Sequence, residues 1–148
     1  MLSEVLTPDL VTVDLPGTDK RSVIESLVDI LVAQGKLQDR EGALAAVLDH
    51  ENHTSTGMEH GIAIPHAKTD VVEGLIACIG VTKRKIEFEC LDRKPAQIFV
   101  LTLSPTDGTG PHVQFLAEIS RLLRDAKVRK RVLKAKTPDE LYATFTGT

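Results

Sequence analysis

Ser55-Thr56-Gly57-Met58-Glu59-His60-Gly61-Ile62-Ala63-Ile64-Pro65-His66-Ala67-Lys68 is the run from which the rest of the chain can be read. Ile62 to Ile64 form a short apolar strand. It meets Pro65, which lacks a backbone donor and holds Ile64 extended. The proline predicts that the strand stops, that the chain turns there, and that His66 stands at the strand's end. Gly57 and Gly61 flank the approach, where a backbone without a side chain can take unusual angles or come close to a ligand. A histidine on a stiff strand end is a suitable nucleophile, because its imidazole is largely neutral near pH 7 and is held still by what precedes it.

Before this run, Leu10 to Leu15 alternate and reach Pro16-Gly17, which predicts a first strand closed by a turn. Thr18 or Asp19 then caps a helix with Val23, Leu27, Ile30 and Leu31 on one face, ending at Gly35. Asp39 caps a second helix carrying Leu44, Val47 and Leu48, which runs down to His50-Glu51-Asn52-His53. After the run, Leu75 to Val81 are almost wholly apolar, as in a strand covered on both faces. Ile86 to Leu91 alternate and read as a half-exposed strand, and Asp92 to Pro95 as a turn. Ile98 to Leu103 read as another buried strand and Ser104 to Gly110 as a polar loop. Gly110 and Pro111 fit the cap and first position of a helix with Phe115, Ile119 and Leu122 on one face. A basic helix over Lys127–Lys136 follows, with Val128, Val132 and Leu133 turned inward. Thr137-Pro138-Asp139-Glu140 is a capping box opening the last helix. Strands alternating with helices predict a single α/β domain over residues 1–148, with a mixed central β-sheet flanked by helices on both faces.

The chain has 148 residues, with 42% apolar and 26% charged residues, as in an ordinary globular domain. Its formal charge of −3 gives no electrostatic footprint for nucleic acid or an anionic membrane. The Lys127–Arg131 run reads as the solvated face of a helix. Four Phe, one Tyr and no Trp leave little for base stacking. Cys78 and Cys90 match no metal spacing and read as buried free thiols of a reducing compartment. Neither a secretory leader nor a membrane span is visible, so the expected location is the cytoplasm, with no direct membrane insertion.

Four of the five histidines, His50, His53, His60 and His66, fall within seventeen positions. The fifth, His112, lies in the first turn of the predicted helix, three and seven residues before Phe115 and Ile119, and so on its inward stripe. There it adjoins free backbone N–H groups and the positive helix end, a setting that favours an anion such as a phosphoryl group and disfavours imidazolium. A histidine can also simply open a helix or be satisfied in a turn. It is the pairing of His66 with His112 that calls for a common explanation.

The run Ser55-Thr56-Gly57 through Gly61-Ile62-Ala63-Ile64-Pro65-His66, followed 46 residues later by His112 at the head of a Phe/Leu helix, resembles the fructose/mannitol-type IIA proteins. These belong to the phosphoenolpyruvate-dependent sugar phosphotransferase system. The resemblance extends from the opening strand to Asp139-Glu140-Leu141. It implies that His66 is the phosphorylated residue, on Nε2, and that His112 is the second active-site histidine, stabilising the phosphoryl group. It further implies a histidine phosphocarrier protein as donor, a IIB protein or domain as acceptor, and no metal or organic cofactor. Thr56, before Gly57 in the signature, and Lys68, two residues past His66, join His50 as expected phosphoryl-binding residues.

One position departs from the family. Sixteen residues before the phosphorylated histidine, members usually have an arginine followed by glutamate; here His50 precedes the expected Glu51. Arginine offers a permanent charge and a two-pronged grip on phosphate, and histidine offers neither reliably at neutral pH. Lys68 is the nearest substitute in sequence. Two other readings stand beside this one. The first is a regulatory module of the nitrogen type, binding a target protein according to phosphorylation state; the expected absence of a fused IIB or membrane segment fits it and a separate transport subunit alike. The second is a histidine metal site. His50-Glu51-Asn52-His53 is one residue short of the zinc-protease spacing, and the preferred reading of His53 and His60 is exposed loop residues. For partner docking, the expected apolar residues around His66 are Met58, Val71 and Val72.

Overall fold

The computed structural model describes residues 2–147. Two long strands, β4 (Ile76–Ile86) and β5 (Ala96–Ser104), pair antiparallel and form the centre of a mixed five-stranded sheet. β1 (Val11–Thr12) lies parallel to β4, while β2 (Ile62–Ala63) and β3 (His66–Lys68) both lie parallel to β5 on its other side. Because side chains alternate along a strand, β4 and β5 divide their apolar residues between two faces. Cys78, Phe99, Leu101 and Leu103 pack with α2 (Lys20–Ala33) and α3 (Arg40–His53). Ala77, Ile79, Val81, Ile98 and Val100 pack with α4 (Thr109–Arg124), α5 (Ala126–Lys134) and α6 (Pro138–Thr146). A short α1 (Leu2–Val5) precedes them. The expected α/β architecture, helices on both faces of a mixed sheet, is the one observed.

The caps explain where the helices begin. Asp19 accepts from the Ser22 amide in a reciprocal capping box, Asp39 accepts from Gly42, and Thr137 accepts from Glu140. Val23, Leu27 and Leu31 of α2 are fully buried, and Gly35 beyond its end takes φ 72°.

Several sequence expectations are corrected. The strand does not end at Pro65: it is interrupted and resumes, so His66 is the first residue of β3 and not the last of β2. Pro65 has no N–H to give, yet its carbonyl accepts from Thr102, which keeps the register through the break. The first strand is only Val11–Thr12, because Leu10 ends a 3-10 turn. β4 runs on to Ile86, and Glu87 to Leu91 are not a strand. Their burial does alternate, but Glu89 at φ 54° takes a left-handed conformation that leaves the ladder. α4 begins at Thr109 with Gly108 as cap, so Pro111 is its third residue; a proline is tolerated anywhere in a first turn, where its N–H would have no helical partner. Leu133 is exposed, not inward. Val72 is buried in the core and cannot belong to a docking surface, and Val71 is half-buried against it, whereas Met58 is exposed.

Gly57 is required for packing. It bridges to Ala63, and a Cβ there would lie 2.8 Å from the Cys90 Cα and from the Phe88 carbonyl oxygen. Cys78 and Cys90 are both free and buried.

Candidate active site

The edge strand β3 brings His66 between the last turn of α3 and the first turn of α4. Its partner across the ladder is Thr102 of β5. The His66 ring lies 4.7 Å from the His50 ring and 5.8 Å from the His112 ring, centroid to centroid, the latter edge-on at 82°. These three imidazoles, with Lys68, His53, Val113 and neighbouring residues, line an open cleft of about 660 Å³.

The tautomer of His66 can be read from one contact. Nδ1 of His66 lies 2.7 Å from the Ile64 carbonyl oxygen. A carbonyl only accepts, so Nδ1 carries the proton and donates it. Nε2 of the neutral ring is then left with its lone pair, and the side chain is half-buried with the cleft around it.

His112 is held from the other side. It lies on the inward face of α4 in line with buried Phe115 and Ile119, and it is 2% exposed. Its Nε2 shares a 2.7 Å hydrogen bond with the Thr102 hydroxyl. Burial, then the nearby His66 and Lys68, push its pKa down to about 4, so the ring is neutral at pH 7. Lys68 reaches from β3 to the start of α4, its Nζ donating to Thr109 Oγ1 at 2.5 Å. Among the described residues, the amides of Thr109 and Gly110 have no acceptor, as befits the first turn of a helix.

His50 is placed differently. It is half-buried in the last turn of α3, and burial first, then His66, lowers its pKa. Its Nδ1 is buried with no hydrogen-bond partner. Beside it, Glu51 is almost fully buried yet well satisfied: it accepts from the Thr56 amide at 3.2 Å and from the Thr56 hydroxyl, and it pairs with Lys20 at 2.8 Å. Lys20 also lies 5.0 Å over the Phe88 ring.

Of the five residues expected from sequence, His66, His112, His50 and Lys68 meet at the cleft. Thr56 does not line it. Thr56 is buried with its hydroxyl committed to Glu51, and its carbonyl accepts from the Ile64 amide, so it supports the strand before His66 from behind. His53 is exposed at the end of α3, not in a loop, with Nδ1 2.8 Å from the Asp49 carbonyl oxygen. His60 is exposed on a turn at φ 64°. No group of three or more His, Cys, Asp or Glu side chains among the described residues is arranged to hold a metal ion. Sequence reading missed Thr102. The available signal was a single hydroxyl amid the apolar run Ile98 to Leu103.

Residues 4–147 match the family described as phosphoenolpyruvate-dependent sugar phosphotransferase system, EIIA 2. The chain belongs to this family. A fructose-specific EIIA component of Haloferax volcanii is 35% identical over 136 residues, covering 92% of this chain and 88% of its own. A nitrogen regulatory protein of Pseudomonas aeruginosa is 29% identical over 141 residues, covering 95% and 92%. Among solved structures, the nitrogen regulatory IIA of Neisseria meningitidis superposes with a TM-score of 0.91 at 21% identity, covering 98% of this chain and 99% of its own. The mannitol IIA of Escherichia coli, solved in complex with phosphorylated IIB, superposes at 0.82 with 20% identity, covering 97% and 98%. Type-2 IIA proteins are phosphotransfer components, and pairing with a IIB protein is seen in that complex. No helix among the described residues is long and apolar enough to cross a membrane.

Proposed function

We propose that this chain is a phosphocarrier that accepts a phosphoryl group on Nε2 of His66 from the histidine phosphocarrier protein and passes it to a IIB partner. The observation that carries the reading is the 2.7 Å bond from Nδ1 of His66 to the Ile64 carbonyl, which leaves Nε2 as the free nucleophile inside the histidine-lined cleft. Transfer between two histidines is in-line displacement at phosphorus, in which the protein's task is positioning and charge stabilisation. His112, Lys68 and the first-turn amides of α4 stand where they can donate to phosphoryl oxygens, and His50 closes the other side. Placed in a cleft and not on an open surface, the group stays reachable for a partner while shielded on its flanks. Membership of the family and the likeness to the IIA solved with phosphorylated IIB support this reading. The reading takes the chain as one EIIA-type domain over residues 1–148, working in the cytoplasm.

A second reading, in which the phosphorylated or free form binds a regulated target protein, is favoured by the nitrogen regulatory relative that matches along 95% of this chain. It uses the same site with a different listener.

The test is incubation with phosphoenolpyruvate, the system's first enzyme and its histidine phosphocarrier, followed by mass spectrometry under alkaline conditions. One acid-labile phosphoryl group on His66 is expected, and His66→Ala should lose it completely while keeping the fold. Labelling of His66→Ala, or no labelling of the wild type by an active donor pair, overturns the reading.

A further inference from the structure

We propose that His50 couples phosphoryl loading of His66 to proton uptake, so that the loaded form is favoured as pH falls through the neutral range. The inference rests on the phosphocarrier reading above and deepens it.

The geometry supplies the coupling. The His50 and His66 rings are 4.7 Å apart, so a group on His66 Nε2 acts directly on His50. His50 holds the one buried side-chain polar atom without a hydrogen-bond partner among the described residues, its Nδ1. Native interiors seldom leave such an atom unpaired, which marks a site completed by something that arrives. His50 also sits in the last turn of α3, where the negative helix end favours a cation.

The step balances without a further reactant. The Nε2 lone pair of His66 forms a bond to phosphorus as the nitrogen–phosphorus bond of the donor phosphohistidine breaks, and the donor nitrogen keeps that electron pair. The His66 ring retains its Nδ1 proton on the Ile64 carbonyl, and the phosphoryl oxygens bring two negative charges. The Nε2-substituted ring, still carrying its Nδ1 proton, is positive, so the His66 side chain goes from neutral to a net charge of about −1, and the proton taken up by His50 comes from water.

The groups facing His50 decide that it, and not a neighbour, takes the proton. On its own helix, Asp49 and Glu51 favour the charged ring and His53 opposes it. Glu51 is tied to Lys20 of α2. From β3, His66 opposes the charge until it is loaded, and Lys68 lies beside it along the cleft. From α4, His112 is the competing imidazole, but it is deeper, bonded to Thr102, at the positive helix end and depressed to about 4. An arginine at this position would be charged throughout and could take up nothing.

The experiment measures the loaded fraction of wild type, His50→Arg and His50→Gln from pH 6 to 8.5. The donor system and the phosphoenolpyruvate-to-pyruvate ratio are fixed, so that the donors' own pH dependence cancels between variants. Relative to either variant, wild-type loading should rise by up to about tenfold as pH falls across that range. In parallel, the His50 ring proton resonance should titrate about one pH unit higher in the loaded protein than in the free one. Loading with superimposable pH profiles in all three proteins, or an unmoved His50 titration, overturns this inference while the carrier reading stands. No loading of any variant overturns both.

Discussion

The two helix ends that flank His66 carry the same side chain in opposite settings. At the start of α4, His112 is buried, bonded to Thr102 and held neutral by burial and by the nearby His66 and Lys68. At the end of α3, His50 is half-buried and its Nδ1 has no partner. One imidazole is locked in place and held neutral, the other under-committed and free to respond. Residue type alone does not assign a role; the helix end and the available hydrogen-bond partner do.

The sharpest way to break this contrast is His112→Ala. A neutral donor fixed beside a transferring group typically contributes about two to three powers of ten in rate. The variant should still accept phosphate but transfer it about a hundredfold more slowly in single-turnover quench with a IIB acceptor. Wild-type behaviour would make His112 structural and leave His50 the only functional flank. Next in size is acid stability. The folded-state pKa of His112, about 4, lies below its ordinary 6.5, so as pH falls the unfolded chain takes the proton first. Stability is therefore complete above about 6.5 and is lost as pH falls toward 4, by roughly 2–3 kcal/mol. His50, shifted in the same direction, adds to the loss. Denaturant melts across this window should show the decline, and His112→Gln should flatten most of it. A flat wild-type profile would show that the two ends do not differ as described. The smallest effect is expected from Thr102→Val, which removes the lock but keeps the shape. Leaving the buried Nε2 unpaired should cost about 1–2 kcal/mol in the same melts, and no change would remove Thr102 from the site.

What could be read from the sequence divides along similar lines. The placing of His66 beside a break in the strand and of His112 on an inward helix face was legible because a proline-terminated apolar run and a helical i, i+3, i+7 stripe are local patterns. The layered α/β fold followed from alternating elements with their caps at Asp19, Asp39 and Thr137. Whatever depended on tertiary pairing was not legible. β5 carries the chain past Pro65 by pairing with both halves of the interrupted strand, and no local pattern announces that. Pro111 is compatible with any position in a first turn, so the start of α4 slid by two residues. Thr56 looked like a ligand for phosphate because it adjoins Gly57, but the buried carboxylate that takes its hydroxyl lies on the preceding helix. The tautomer of His66 was out of reach of local pattern for the same reason, since it is chosen by a neighbour's geometry and not by residue identity; only the family resemblance pointed to Nε2.

The neighbour in that last case is the main-chain oxygen of Ile64. Every residue has such an oxygen, so no point substitution at position 64 can delete the acceptor that orients His66. On the proposed role of His66, the choice of nucleophilic atom is inherited with the path of the backbone, while the side chains around it remain open to mutation. If His66 is the residue that loads, a site built this way can exchange an arginine for His50 over evolutionary time, and alter when it loads, without having to reinvent where it loads.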